Sequence, residues 1–162
     1  LGGKSNTVCN SSYSSILGGA YGKIVSLEEN AGCSSIISGN DNEIYNSNSS
    51  SIIGGVSNCI EKNTQYSLIL GGTNNNIFCS SKSVIIGGYS NQLTGTSRSA
   101  IIGGFNLSLF DASDTVLVQN LQINNTLSTL SGSTMTPGLT EELTLAGVTK
   151  LKIVNGLIVG YE

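Results

Sequence analysis

The chain contains no histidine and no tryptophan, and only one proline in 162 residues. Without histidine, no Ser-His-Asp or Cys-His nucleophile can be assembled. Zinc also loses its usual imidazole ligand. Charge is scarce: Asp, Glu, Lys and Arg together make up 10% of the chain, and the formal net charge is −3. An ordinary globular domain carries roughly 25% charged residues. The 7 basic residues are scattered, whereas a nucleic-acid partner needs clustered Lys and Arg to neutralise phosphates. No apolar run approaches the ~20 residues of a membrane span, and no signal peptide is visible. These absences predict no nucleic-acid partner and no membrane insertion.

Cys9, Cys33, Cys59 and Cys79 form no C-x₂-C pair. They read as small buried hydrophobes or free thiols, with a disulfide between neighbouring turns as the alternative, and their redox state stays open. Glu28-Glu29 and Glu141-Glu142 read as solvated loop charges rather than a glycosidase acid/base pair. The stretch "GGYSNQLTG" lacks the lysine of a phosphate loop. Asp41 is the only acid in a repeat turn, which disfavours calcium-binding nonapeptide repeats. The N-x-Ser/Thr sequons at Asn10, Asn48, Asn106 and Asn124 are expected by chance in a chain so rich in Asn, Ser and Thr. No catalytic residue, metal ligand or cofactor is expected, and the chain is not read as an enzyme.

What the sequence does contain is glycine, 21 residues of it, and a repeat. Paired glycines, or Ser-Gly once, recur at 2–3, 18–19, 38–39, 54–55, 71–72, 87–88 and 103–104, in steps of 16, 20, 16, 17, 16 and 16. Aligned on this pair, the unit is Ser-x-Ile-(Ile/Leu)-Gly-Gly-x-x-Asn-x-(Ile/Leu/Val). Its serine column is Ser14, Ser34, Ser50, Ser67, Ser83 and Ser99. Two apolar columns follow: Ile16, Ile36, Ile52, Ile69, Ile85 and Ile101, then Leu17, Ile37, Ile53, Leu70, Ile86 and Ile102. A trailing column holds Val8, Ile24, Ile44, Ile60, Ile77, Leu93 and Leu109.

A period near 16 is too short for helical repeats, which need roughly 33 residues. The β-branched columns favour strands. Two short strands per unit predict one coil of an all-β parallel β-solenoid. Seven coils stacked at ~4.8 Å would build a rod about 30–35 Å long. Gly19, Gly39, Gly55, Gly72, Gly88 and Gly104 should turn a corner at positive φ. Asn42, Asn58, Asn75 and Asn91, with Asn6, suit a left-handed second turn and an inter-coil side-chain ladder. The repeated serines should hydrogen-bond to the coil above or below. The 20-residue step places one extruded loop at Leu27 to Ser34, and Leu1-Gly2-Gly3 opens inside a repeat, as a piece of something longer would.

Adjacent strand residues point to opposite faces. A doubled Ile column therefore puts one apolar row in the coil and the other outside. Six outward isoleucines at on the order of 100 Å² each represent roughly 15 kcal/mol of burial. That stripe exceeds what a soluble monomer exposes, so a closed cyclic homo-oligomer is expected.

The units "SSIIGGVSNCI", "SVIIGGYSNQL" and "SAIIGGFNLSL" resemble the Ser-Val-Ala-Ile-Gly repeats of YadA-like trimeric autotransporter adhesin heads. They are also similar to the IIGG-x-x-N-x-I repeats of phage and virus tail-fibre proteins sharing that architecture. The resemblance covers about residues 1–110. It implies a left-handed parallel β-roll in a homotrimer packed around a threefold axis. Laid on that motif, Leu17, Ile37, Ile53, Leu70, Ile86 and Ile102 fall at the roll-core position. Ile16, Ile36, Ile52, Ile69, Ile85 and Ile101 fall at its alanine, the oligomer interface.

The implied function is structural: a fibre or head domain on a virion or another extracellular surface. Its partners would be itself, other virion or fibre components, and a host-surface glycan or protein. Tyr13, Tyr45, Tyr66, Tyr89 and Phe105 are the candidates for stacking on sugars, although packing between coils accounts for them too. A bacterial adhesin head is the close alternative, and a polysaccharide-degrading trimeric tailspike is the alternative from a different class.

The repeat occupies residues 1–113. Residues 114–162 are expected to form a small C-terminal β cap and trimerisation region. "DTVLVQNLQI" reads as a final coil or capping strand, and residues 124–139 as a polar transition. The alternating segment around Asn155-Gly156 reads as a hairpin.

Overall fold

The computed structural model describes residues 2–27, 32–120, 151–154 and 157–161, and among them there is no helix. Each strand of the repeat is short because the chain turns on both sides of it. In the third coil Ser51–Ile53 is extended, and Gly54 and Gly55 turn at φ 73° and 85°. Val56 then bridges singly to the next coil, and Ser57 turns at φ 53°. Cys59–Glu61 forms the opposite strand, and Lys62 and Asn63 turn at 49° and 61°. Gln65 bridges, and Tyr66 at 53° leads into Leu68–Leu70. A coil thus has two three-residue sides and two one-residue sides, joined by left-handed corners. Such a conformation costs a non-glycine residue ~1–2 kcal/mol, and the inter-coil hydrogen bonds offset it.

Stacking these coils generates two parallel seven-stranded sheets. The first holds β1 (Thr7–Cys9), β3 (Lys23–Val25), β5 (Glu43–Tyr45), β7 (Cys59–Glu61), β9 (Asn76–Phe78), β11 (Gln92–Thr94) and β13 (Ser108–Phe110). The second holds β2 (Ser15–Ile16), β4 (Ser35–Ile37), β6 (Ser51–Ile53), β8 (Leu68–Leu70), β10 (Val84–Ile86), β12 (Ala100–Ile102) and β14 (Val116–Val118). The expected β-solenoid of about seven turns is therefore present.

Irregular steps do not disturb the register. Cys9 pairs with Val25 and Ser12 bridges Gly32, so the extra residues of the long step lie between Val25 and Gly32. Residues 28–31, including Glu28-Glu29, lie outside the described residues. The 17-residue step is absorbed at the Lys62-Asn63 corner, where both residues are left-handed.

The core is a column of single side chains, one from the middle of each strand. Ile16, Ile36, Ile52, Ile69, Ile85 and Ile101 from the second sheet meet Ile24, Ile44, Ile60, Ile77 and Leu93 from the first, all at 0–1% exposure. Val8, Leu107, Leu109 and Leu117 pack against this column.

The burial reverses the expected roles of the doubled isoleucines. The Ile16-to-Ile101 column, assigned to an interface, fills the coil interior. Leu17, Ile37, Ile53, Leu70, Ile86 and Ile102, assigned to the roll core, are exposed. The reason is parity. Ser50 is buried at the corner with its hydroxyl held inside, so Ile52, two residues on, also points inward and Ile53 points out. Sliding the motif by one residue exchanges the two faces.

The solenoid also runs past residue 113. Val116–Val118 pairs in register with Ala100–Ile102, and the first compact unit is Leu1–Leu121. The second unit is Gln122–Glu162. There β15 (Leu151–Val154) and β16 (Leu157–Tyr161) pair antiparallel with a register shift between Lys152 and Ile153. This matches the expected hairpin, while Asn155 and Gly156 themselves lie outside the described residues. Residues 124–139, with Asn124, and Glu141-Glu142 lie outside them as well.

Candidate functional site

Three polar ladders hold the coils in register. At one corner each asparagine links two coils. The backbone N–H of Asn58 donates to Asn42 Oδ1, that of Asn75 to Asn58, that of Asn91 to Asn75 and that of Leu107 to Asn91, each at 3.0 Å. The Nδ2 groups of Asn42, Asn58, Asn75 and Asn91 donate to Gly55, Gly72, Gly88 and Gly104 carbonyls at 3.1, 3.1, 3.2 and 3.3 Å. These asparagines are buried, and an unmatched amide there costs about 1–3 kcal/mol. The expected ladder is thus present, but the asparagines are not the left-handed residues. Positive φ falls one residue earlier, at Asp41, Ser57, Asn74 and Ser90, because the turn must finish before the amide can point inward.

The serine column works the same way at the opposite corner. Its hydroxyls accept from the N–H of the next serine: Ser14 from Ser34, Ser34 from Ser50, Ser50 from Ser67 and Ser67 from Ser83, at 3.1–3.4 Å. A third ladder joins Thr64, Ser80 and Thr96, and its signal in the sequence is the polar residue before each short connection.

The two glycines of each pair are not equivalent. A Cβ at Gly39, Gly55, Gly72 or Gly88 would collide with the ladder asparagine and with the next coil's glycine carbonyl. At Gly19 the collision is with backbone, and at Gly104 with Leu107. All six have positive φ, as expected. The first glycines, Gly54, Gly71, Gly87 and Gly103, also have positive φ, yet a Cβ there would meet nothing within 4 Å.

The outward rows differ sharply between the two sheets. The first sheet shows Thr7, Lys23, Glu43, Cys59, Asn76, Gln92 and Ser108 in one row. There Lys23 Nζ meets Glu43 Oε1 at 2.8 Å, and this hydrogen bond holds the Lys23 ammonium above its usual range. The second sheet shows Leu17 at 70% exposure, and Ile37, Ile53, Leu70, Ile86 and Ile102 at 38–44%. Beside its glycine corner run Val56, Tyr89 and Phe105, all exposed, with the Tyr89 and Phe105 rings stacked 5.5 Å apart at 8°. Those two aromatics therefore pack between coils, whereas Tyr13 and Tyr66 stand at left-handed corners, 93% and 60% exposed.

All four cysteines are free thiols. Burial, then the charges of Glu61 and Glu43, pushes the Cys59 thiol up to about 12, so it is protonated and inert at neutral pH. Among the described residues no three His, Cys, Asp or Glu side chains gather to hold a metal, and no helix is long and apolar enough to cross a membrane. No protein-family model matches the chain, and no curated protein does either. Among the described residues, the outer face of the second sheet carries a continuous exposed apolar row.

Proposed function

We propose that the chain is a structural and attachment protein: a stiff solenoid that assembles as a homotrimer into a fibre or head segment at a virion or other extracellular surface. The uninterrupted outward row from Leu17 to Ile102 carries this reading. A parallel sheet is ordinarily covered on both faces, and here the coil interior covers one face only. Six residues at roughly 70–100 Å² of exposed apolar surface each represent about 10–15 kcal/mol if fully buried, near the cost of association. The repeat's similarity to adhesin-head and tail-fibre repeats favours three copies around one axis. The exposed tyrosines at the corners flanking that sheet, Tyr13 and Tyr66, are then the surfaces offered to a host glycan or protein.

Light scattering of the purified chain tests the assembly: three chains per particle at micromolar concentration are expected, and a soluble monomer refutes it. Ile53→Lys with Ile86→Lys should dissociate the particle while leaving the β signature intact. Incubation with capsule or cell-wall glycan should give binding without release of soluble oligosaccharides. Release would replace the attachment reading with a polysaccharide-degrading one.

A further inference from the structure

The outward face of the second sheet has two rows, and only one of them is apolar along its whole length. The third strand position holds Leu17, Ile37, Ile53, Leu70, Ile86, Ile102 and Val118. The first position holds Ser15, Ser35 and Ser51 in the first three coils, then Leu68, Val84, Ala100 and Val116 in the last four. Ser35 Oγ and Ser51 Oγ share a hydrogen bond of 2.9 Å and present a hydroxyl row to water. The face is therefore half wet from Ser15 to Ile53 and dry from Leu68 to Val118.

At the glycine corner the two halves differ at one position. At its first position the chain has no steric need for glycine, since a Cβ at Gly54, Gly71, Gly87 or Gly103 would enter open space. Positive φ favours glycine there, yet the corner can carry a side chain. Ser38 occupies this very position at φ 61°, and the neighbouring pair Lys62 and Asn63 shows two left-handed residues in succession without glycine. The one side chain admitted, Ser38, lies in the wet half. Alongside the dry half the corner is bare backbone, flanked by the stacked Tyr89 and Phe105.

We infer that a second copy of this chain docks chiefly on the dry half, formed by Leu68, Leu70, Val84, Ile86 and Ile102 with the bare Gly71 and Gly87 corners, with the wet half adding the smaller share of the contact. This rests on the self-assembly proposed above and assigns its seam. Three features name a second copy as the occupant. The rows repeat once per coil, so a partner must present side chains at that same axial spacing, and another solenoid of this sequence does so. The dry half carries no charge, and its rim holds Lys82 and the exposed Arg98–Asp114 pair, with Arg98 Nε 2.6 Å from Asp114 Oδ1. This is the dry-centre, polar-rim pattern of protein interfaces. The dry half with Val56, Tyr89 and Phe105 exposes on the order of 700 Å² of apolar surface, close to the ~800 Å² per partner of a stable complex.

Leu68→Ser with Val84→Ser extends the hydroxyl row into the dry half at outward positions. Sedimentation over a concentration series should show dissociation at a concentration at least ~100-fold higher than for the unsubstituted chain. Leu17→Ser with Ile37→Ser should change it less than ~10-fold. Gly87→Ser, which places at this corner the residue that Ser38 already supplies in the wet half, should weaken assembly as Leu68→Ser and Val84→Ser do. If the unsubstituted chain is monomeric, the assembly proposal itself fails. If it assembles but only the Leu17/Ile37 variant dissociates, the assembly stands and this seam is wrong. In unsubstituted, mixed isotope-labelled oligomers, cross-chain NOEs from the Gly71 and Gly87 Hα protons to sister-chain side chains are expected. Their absence overturns the seam even if the variants fail to fold.

Discussion

Replacing Ile85 by alanine removes three carbons from a side chain at 0% exposure, held between Ile69 and Ile101 in register above and below. The neighbours cannot collapse into the space, because the Asn75–Asn91 and Ser67–Ser83 ladders fix the spacing of that coil. The cost should fall in the middle of the 2–5 kcal/mol range for buried Ile→Ala, about 3–4 kcal/mol. For a cooperative solenoid of this size that lowers Tm by about 10–15 °C. Ile86→Ala removes the same atoms from a residue that is 40% exposed on the outer face. Its effect on the single solenoid should stay below about 1 kcal/mol. Whatever more it costs must scale with protein concentration, since it acts through association. Thermal unfolding by circular dichroism at concentrations spanning two decades separates the two. Ile85→Ala should give a large, concentration-independent drop, and Ile86→Ala a drop that vanishes on dilution below dissociation. Equal, concentration-independent losses from both would refute the assignment of the inner and outer columns.

Asn75→Ala strands the buried N–H of Asn91, while the Gly88 carbonyl keeps the Thr73 N–H, and should cost about 1–3 kcal/mol. Native-state hydrogen exchange should show the Asn91 amide exchanging far faster, with strand amides several coils away retaining most of their protection, as repeat stacks allow. The described buried polar groups are serine, threonine and asparagine, with no charged side chain among them, so stability should be level from about pH 5 to 8. Above that it should decline. The Cys59 thiol is raised from 9.0 to about 12 and the Lys23 ammonium is also raised, so the folded state keeps protons that the unfolded chain releases. At the acid end, the exposed Asp114 carboxyl is lowered by its hydrogen bond to Arg98, and its small contribution is lost as pH falls through that lowered value. A pH series of chemical-denaturation midpoints checks both limits. Alkylation at pH 8 should label the exposed Cys9, Cys33 and Cys79 well before Cys59.

The columns of the repeat carry the architecture on their own. Glycine pairs at steps near 16 and β-branched residues in register can stack only as short parallel strands, and the strands appear where those columns are. The serine and asparagine ladders are legible too, because a polar residue recurring once per coil has its like directly above and below. The direction of each side chain is not. Ile52 and Ile53 are chemically alike, so composition is blind to which one faces inward. The choice follows from parity counted from the buried Ser50, a residue whose burial only the closed coil creates. The left-handed corner before Asn58 escapes a sequence reading for the same reason, since asparagine tolerates that conformation but the ladder needs its amide inside. Likewise nothing local separates Gly87 from Gly88. Only the next coil, with Asn91 and Gly104 against one and open space beside the other, makes the second indispensable and leaves the first unobstructed. The sequence by itself determined the repeat, the strands and the existence of a surplus apolar row. The tertiary structure decided which row is surplus, because facing is a property of a closed coil and not of any residue within it.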